Sequence, residues 1–188
     1  HDQSDHVGGI EDLFGTMPIE RLLYARLGRD SIARAAAAGA EPARIAAGRQ
    51  LRAGELRLRV LWPPPELLGA ASRGEDPNRL ALVMEARWRD FTMLLAADAE
   101  AEAVPLGPGP VDVLKVAHHG SEDAGLAELL EQTRPRLAVI SVGEGNPYGH
   151  PAASTLATLR QQGVPTLRTD LAGTVAIEAE RGSIRVDG

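Results

Sequence analysis

Val111-Asp112-Val113-Leu114-Lys115-Val116-Ala117-His118-His119-Gly120-Ser121 passes from an apolar strand directly into a polar loop that contains glycine. The downstream pattern predicts a helix over residues 124–133 and a buried strand over 137–142. A loop over 143–150 and a helix over 152–162, stopped by Gly163, follow. Strands alternating with helices in this way indicate an α/β fold, in which reactive groups gather at strand ends. His118 and His119 stand at such an end. Neighbouring residues on a strand face opposite ways, so one of the two is expected to face the site unless the loop curls.

Working outward, residues 79–86 and 91–96 read as a strand pair joined by a turn near Arg89-Asp90, and the second strand runs into Asp98. Upstream, Leu56, Leu58 and Val60 alternate with Glu55, Arg57 and Arg59, the pattern of a half-buried strand, and Pro63-Pro64-Pro65 ends it. Residues 67–78 read as a surface loop and 105–110 as a rigid connector. Nearer the start, residues 9–14 suit a helix and 19–24 a strand. Ser31 is a natural N-cap for a helix over 32–38, with Gly39 as its stop. Past the last helix, strands are expected near Thr166, over 173–178 and over 183–186, the final two paired across Arg181-Gly182. The whole chain, 1–188, reads as a single domain.

Composition narrows the function. The chain is 44% hydrophobic with formal net charge −6, and its basic residues are arginines apart from the single lysine, Lys115. An acidic chain is poorly suited to a broad sequence-independent grip on nucleic acid, although bound cations can supply positive charge where chemistry happens. Without cysteine there is no disulfide and no thiolate metal site. No apolar run approaches the roughly 20 residues of a membrane span.

The five histidines are His1, His6, His118, His119 and His150, all at strand ends or in polar loops that contain glycine. In an extended start, His1 and Gln3 face one side and could reach one metal ion. Asp5 and His6, adjacent at a turn into a helix, could reach a second position. Gly8 and Gly9 allow the backbone to turn close by. Imidazoles with carboxylates suit Zn²⁺ or Mn²⁺, and Asp98 at its strand end is a candidate bridging carboxylate. Asp98 could otherwise be a helix cap. His150 lies in the constrained loop Asn146-Pro147-Tyr148-Gly149-His150-Pro151, with no packing partner evident from the sequence.

These segments, in this order, resemble the metallo-β-lactamase superfamily and, within it, the metallo-β-lactamase-like domain of the ComEC family of DNA-uptake competence proteins. His1, Asp5, His6, Gly8 and Gly9 match that family's H-x-D-x-D-H-x-G-G motif. Asp76-Pro77-Asn78, Leu94 to Asp98, Leu114 to Ser121 and Tyr148-Gly149-His150-Pro151 match its later motifs. The resemblance implies a metallo-β-lactamase-like αββα sandwich with a metal centre at one edge, and family strands that precede His1 and are absent from this chain. It also implies two divalent ions, Zn or Mn. Asp5, His6, Asp98 and His150 would hold one; His1, position 3, Asp98 and one of His118 and His119 would hold the other.

Gln3 replaces the family's aspartate, which should weaken that second position and leaves a one-metal site open. Ala97 replaces a glycine. Asp5 and Asp98 are the candidate catalytic residues. Lys115, Ser121, Asn146 and Tyr148 are candidate substrate contacts, with Lys115 alternatively snorkelling out of a sheet edge. The implied function is a metal-dependent nuclease or phosphodiesterase that hydrolyses the DNA strand not taken up. The implied partners are DNA, the rest of a membrane channel and the competence machinery. The implied location is the periplasmic side of an inner membrane. Two other readings remain: a degenerate domain that no longer catalyses but supports the channel structurally, and a small-molecule phosphodiesterase or lactonase, since one fold hosts many reactions.

Overall fold

A computed structural model describes residues 3–69, 76–101, 107–180 and 183–187. His1, residues 70–75 of the predicted loop, residues 105 and 106 of the predicted connector and the turn at Arg181-Gly182 lie outside the described residues. The helices are α1 (Ser4–Val7), α2 (Ile10–Thr16), α3 (Arg29–Ala37), α4 (Leu126–Thr133), α5 (Ala153–Gln161) and α6 (Thr169–Ala172). The strands are β1 (Arg21–Tyr24), β2 (Glu41–Arg44), β3 (Gln50–Ala53), β4 (Leu56–Trp62), β5 (Val83–Trp88) and β6 (Phe91–Leu95). They continue with β7 (Val113–Lys115), β8 (Leu137–Ile140), β9 (Thr166–Arg168), β10 (Ala176–Glu180) and β11 (Ser183–Asp187).

Seven strands form one mixed sheet in the order β3-β4-β5-β6-β7-β8-β9. The β3 to β6 half is antiparallel, built from turns at Gly54-Glu55 and Arg89-Asp90. The β6 to β9 half is parallel, and the parallel connections between β7, β8 and β9 cross over through α4 and α5. Every residue of β8 is buried, as expected of a central parallel strand covered on both faces.

One face of the sheet packs under α4 and α5. Leu126, Leu129, Leu130 and Thr133 of α4, at the spacing of one helical face, and Leu159 of α5 are buried there, and the four leucines pack against Leu94, Leu114 and Ile140. The opposite face carries Val113, Leu137 and Val139, and the β10–β11 hairpin covers it with Ile177, Ile184 and Val186. Two β layers thus face one another beneath a helical layer, and α3 lies beside the separate parallel pair β1–β2. This is the mixed α/β architecture expected, with the central mixed sheet at its heart.

Local details differ from the sequence reading. Gly28, not Ser31, is the N-cap of α3, which starts two residues before Ser31. β3 was not foreseen because the alternation of Gln50-Leu51-Arg52-Ala53 runs for only four residues; its pairing with β4 makes it a strand. The strand expected from residue 79 begins at Val83, because the Asp76 carboxylate accepts from Asn78 N at 2.9 Å and starts a 3-10 turn over Pro77–Leu80. The four-residue α6, after β9, was also missed. Among the described residues no helix is long and apolar enough to cross a membrane.

Candidate metal centre

The site forms where β6, β7 and β8 end and α1 meets them. Gln3 occupies the N-cap of α1, its carbonyl accepting from His6 N and Val7 N at 2.9 and 3.0 Å, while its side chain makes no cap bond. The helix ends at Gly8, where a Cβ would run into the Ser4 carbonyl. This single turn presents Asp5 and His6 side by side, with Asp5 Oδ2 3.8 Å from His6 Nε2.

Asp98 follows β6 with its side chain fully buried. His6 Nε2 lies 2.8 Å from Asp98 Oδ2, while Asp98 Oδ1 is buried, with His119 Nε2 4.0 Å away. The turn that aims Asp98 passes through Ala97 at φ 50°, left-handed backbone that favours glycine. The Ala97 carbonyl accepts from His118 N at 3.0 Å and from Lys115 Nζ at 3.2 Å. Lys115 therefore does not snorkel from an edge: β7 lies inside the sheet, and the ammonium braces the Asp98 turn. Burial holds the Lys115 pKa below its usual range, and the nearby Asp98 charge opposes that shift.

The loop after β7 does curl. His118, His119 and Gly120 have φ values of 44°, 54° and 81°, a left-handed turn that brings both rings to the same side. Gly120 fits nothing larger, since a Cβ there would lie 2.7 Å from Pro151 Cβ. This close approach fastens the histidine turn to the His150 loop. The four rings run in a chain: His6 to His119 at 5.8 Å between centroids, His119 to His118 at 6.3 Å, and His118 to His150 at 5.6 Å.

Each member of the His118-His119 pair has its Nδ1 held from outside the cluster. His119 Nδ1 lies 2.7 Å from the Ser141 carbonyl, which only accepts, so Nδ1 carries a proton. Its Nε2 then faces Asp5 Oδ2 at 3.1 Å and Asp98 Oδ1 at 4.0 Å. That contact is favourable for an imidazolium N–H, or for a neutral ring that shares a cation with the carboxylates. His118 Nδ1 lies 2.8 Å from Glu100 Oε1, which also accepts the Ser121 hydroxyl at 2.5 Å, and His118 Nε2 is 3.5 Å from the Asn78 amide nitrogen. An imidazole held at one nitrogen by a carbonyl or carboxylate presents the other as a metal ligand.

Asp5, His6, Asp98 and His119 form the one group of three or more metal-ligating side chains found among the described residues, with ligand atoms within 4.8 Å of one another. Two carboxylates with two imidazoles are a donor set that fits a Zn²⁺- or Mn²⁺-like cation. The grouping differs from the expected one: His119 joins Asp5 and His6, and His150 stands instead beside His118. His1 lies outside the described residues, and Gln3 is an exposed cap.

Of the expected substrate contacts, Lys115 and Ser121 are engaged as described. Asn146 organises its own loop, donating to the His150 carbonyl at 2.6 Å and accepting from Tyr148 N and His150 N. Tyr148 is 79% exposed, its ring stacked on His150 at 6.2 Å. Desolvation, followed by the His118 and His119 charges, holds the His150 pKa below its usual value. Glu100 and the Ser141 carbonyl were not found from sequence; the one available signal was a second acid two residues after Asp98.

No family model matches the chain. It is 31% identical over 184 residues to ComE operon protein 3 of Bacillus subtilis, covering 93% of this chain and 23% of that protein. To Recombination protein 2 of Haemophilus influenzae it is 27% identical over 181 residues, covering 94% of this chain and 21% of that one. Competence protein ComA of Neisseria gonorrhoeae is 36% identical over 73 residues, 39% of this chain. The chain thus spans less than a quarter of the length of these relatives. Among solved structures, a protein named as a metal-dependent hydrolase from Parabacteroides distasonis superposes with a TM-score of 0.52 at 10% identity, covering 84% of this chain and 79% of that one. CmlA, a diiron β-hydroxylase from Streptomyces venezuelae, gives a TM-score of 0.56 at 14% identity, covering 89% of this chain and 42% of that one. At these identities the likeness is one of fold.

Proposed function

We propose, for a chain homologous over nearly its whole length to the ComEC family of competence proteins, that it is a metal-dependent phosphodiesterase domain acting on DNA. The observation that carries this reading is the convergence of Asp5, His6, Asp98 and His119 at the strand ends. These four would hold one divalent ion, and His118 and His150 are the donors available to a second. Bound there, such an ion would act as a Lewis acid on a phosphate oxygen and lower the pKa of water.

The chain's own groups do the rest. Asp98, fully buried, fixes His6 from within. Asp5, whose side chain is 49% exposed, would be the carboxylate that takes a proton from water arriving from solvent. Glu100 and the Ser141 carbonyl hold His118 and His119 in one tautomer each. Tyr148, exposed beside His150, is the remaining candidate for contact with the substrate. In the family setting the domain would belong to an inner-membrane DNA channel, on its periplasmic side, and would degrade the strand not taken up.

The test is cleavage of end-labelled single- and double-stranded DNA by protein loaded with Mn²⁺ or Zn²⁺, against Asp98→Asn. Metal-dependent cleavage lost by at least 100-fold in the variant is the expected result. Tight metal binding without cleavage of either DNA would contradict a nuclease. Turnover of a small phosphodiester alone would move the reading to small-molecule substrates.

A further inference from the structure

The far end of the sheet carries a second chemical feature. Arg52 on β3 is directly opposite Arg57 on β4, and Arg57 is directly opposite Arg87 on β5. Residues paired in this way project from the same face, so three guanidinium side chains form a row across three strands. All three are exposed. With Gly54, Glu55 and Arg89 they line a cavity of about 380 Å³.

The local charge is not balanced. Glu55 is taken by Arg89, whose Nε and Nη2 donate to one of its oxygens at 3.0 and 2.8 Å. Glu85, buried beside the row on the same face, is shared by Arg59 and Arg87 at 3.2 and 3.4 Å. Among the described residues, no carboxylate pairs with Arg52 or Arg57. The Arg89 guanidinium also lies 4.4 Å over the Trp88 ring, which stiffens the cavity wall. Like charges directly opposite on a ladder oppose folding. A chain of net charge −6 has carboxylates to spare for this face, yet it keeps an arginine row there. Planar guanidinium forks match phosphate oxygens better than any other side chain does.

We propose that this arginine-lined cavity binds the phosphodiester backbone of a nucleic-acid strand, away from the point of cleavage; this extends the DNA reading above and rests on it. Arg87 faces Thr92 near the start of β6, and Asp98 follows the end of that strand, so the row and the metal centre lie at opposite ends of β6, on the order of 10–20 Å apart. That separation corresponds to a few nucleotides. Contacts at such a distance are equal before and during hydrolysis, so they act on affinity rather than on the chemical step. They also reconcile an acidic chain with a polyanionic substrate, because the positive charge is concentrated in one place.

The test is fluorescence anisotropy of a labelled single-stranded oligonucleotide on metal-free protein, across a salt series. Arg52→Ala/Arg57→Ala is expected to weaken binding on the order of tenfold at low salt. It should also lower the slope of log affinity against log salt by about 1.4, the loss of two phosphate contacts. The thermal midpoint should hold or rise as the repulsion is removed. Arg52→Lys/Arg57→Lys, which keeps the charge, should keep the slope. An unchanged affinity and slope in the alanine pair would overturn the proposal. So would a loss of binding to phosphatidylglycerol vesicles with DNA binding intact, which would assign the cavity to a membrane surface. Wild-type protein that binds the strand through this row but never cuts it when metal-loaded would sink the nuclease reading and leave the cavity's assignment standing. Cleavage that persists while the alanine pair binds DNA like wild type would do the reverse.

Discussion

Ala97 sits at φ 50°, where a side chain costs about 1–2 kcal/mol relative to glycine. Glycine returns part of that gain through greater freedom in the unfolded chain. Ala97→Gly is therefore expected to stabilise the protein by about 0.5–1 kcal/mol in denaturant unfolding, and a loss of stability would show that the Asp98 turn is not strained. Glu100→Gln removes the charge that holds His118 Nδ1, and the expected effect is a drop of about tenfold or more in metal affinity in competition titrations. No change would place His118 outside the metal site. At this scale the sequence singled out Asp5, His6 and Asp98, and the structure brings the three side chains together. The shared direction of His118 and His119 was not legible. Strand alternation predicts opposite faces, and only the left-handed turn, invisible in residue type except at Gly120, reverses it.

Two short elements carry the site, and each depends on one contact. Gly120 lets the histidine turn touch Pro151, so Gly120→Ala combines a clash with a left-handed backbone. A cost of about 2–4 kcal/mol is expected, read as a lower denaturant midpoint at unchanged slope. α1 begins at Gln3 without a side-chain cap. Gln3→Asp supplies one and should raise stability by roughly 0.5–1 kcal/mol, and an unchanged thermal midpoint would mean α1 is held by other contacts. The apolar strands β6, β7 and β8 and the helices α4 and α5 were read correctly, because hydrophobic patterning reports burial directly. β3 and α6, four residues each, take their structure from neighbours rather than from their own pattern.

At the scale of the whole molecule, the resemblance carried the architecture and the structure rearranged the centre. The expected ligand groups exchange members: His119 joins Asp5 and His6, and His150 moves beside His118. Such a partition depends on how separate loops approach one another in space, which motif order does not encode. An ion held by two carboxylates and two imidazoles would also tie stability to its binding. At a free metal concentration 100-fold above its dissociation constant, binding adds about 2.7 kcal/mol to folding. The most direct test is a calorimetric titration of Mn²⁺ or Zn²⁺ into metal-stripped protein, with Asp98→Asn beside it. Saturable binding of at least one ion per chain, abolished in a folded Asp98→Asn variant, is the predicted result. Wild-type protein that binds no ion, or a variant that binds as tightly as wild type, would contradict a metal centre built on Asp5, His6, Asp98 and His119.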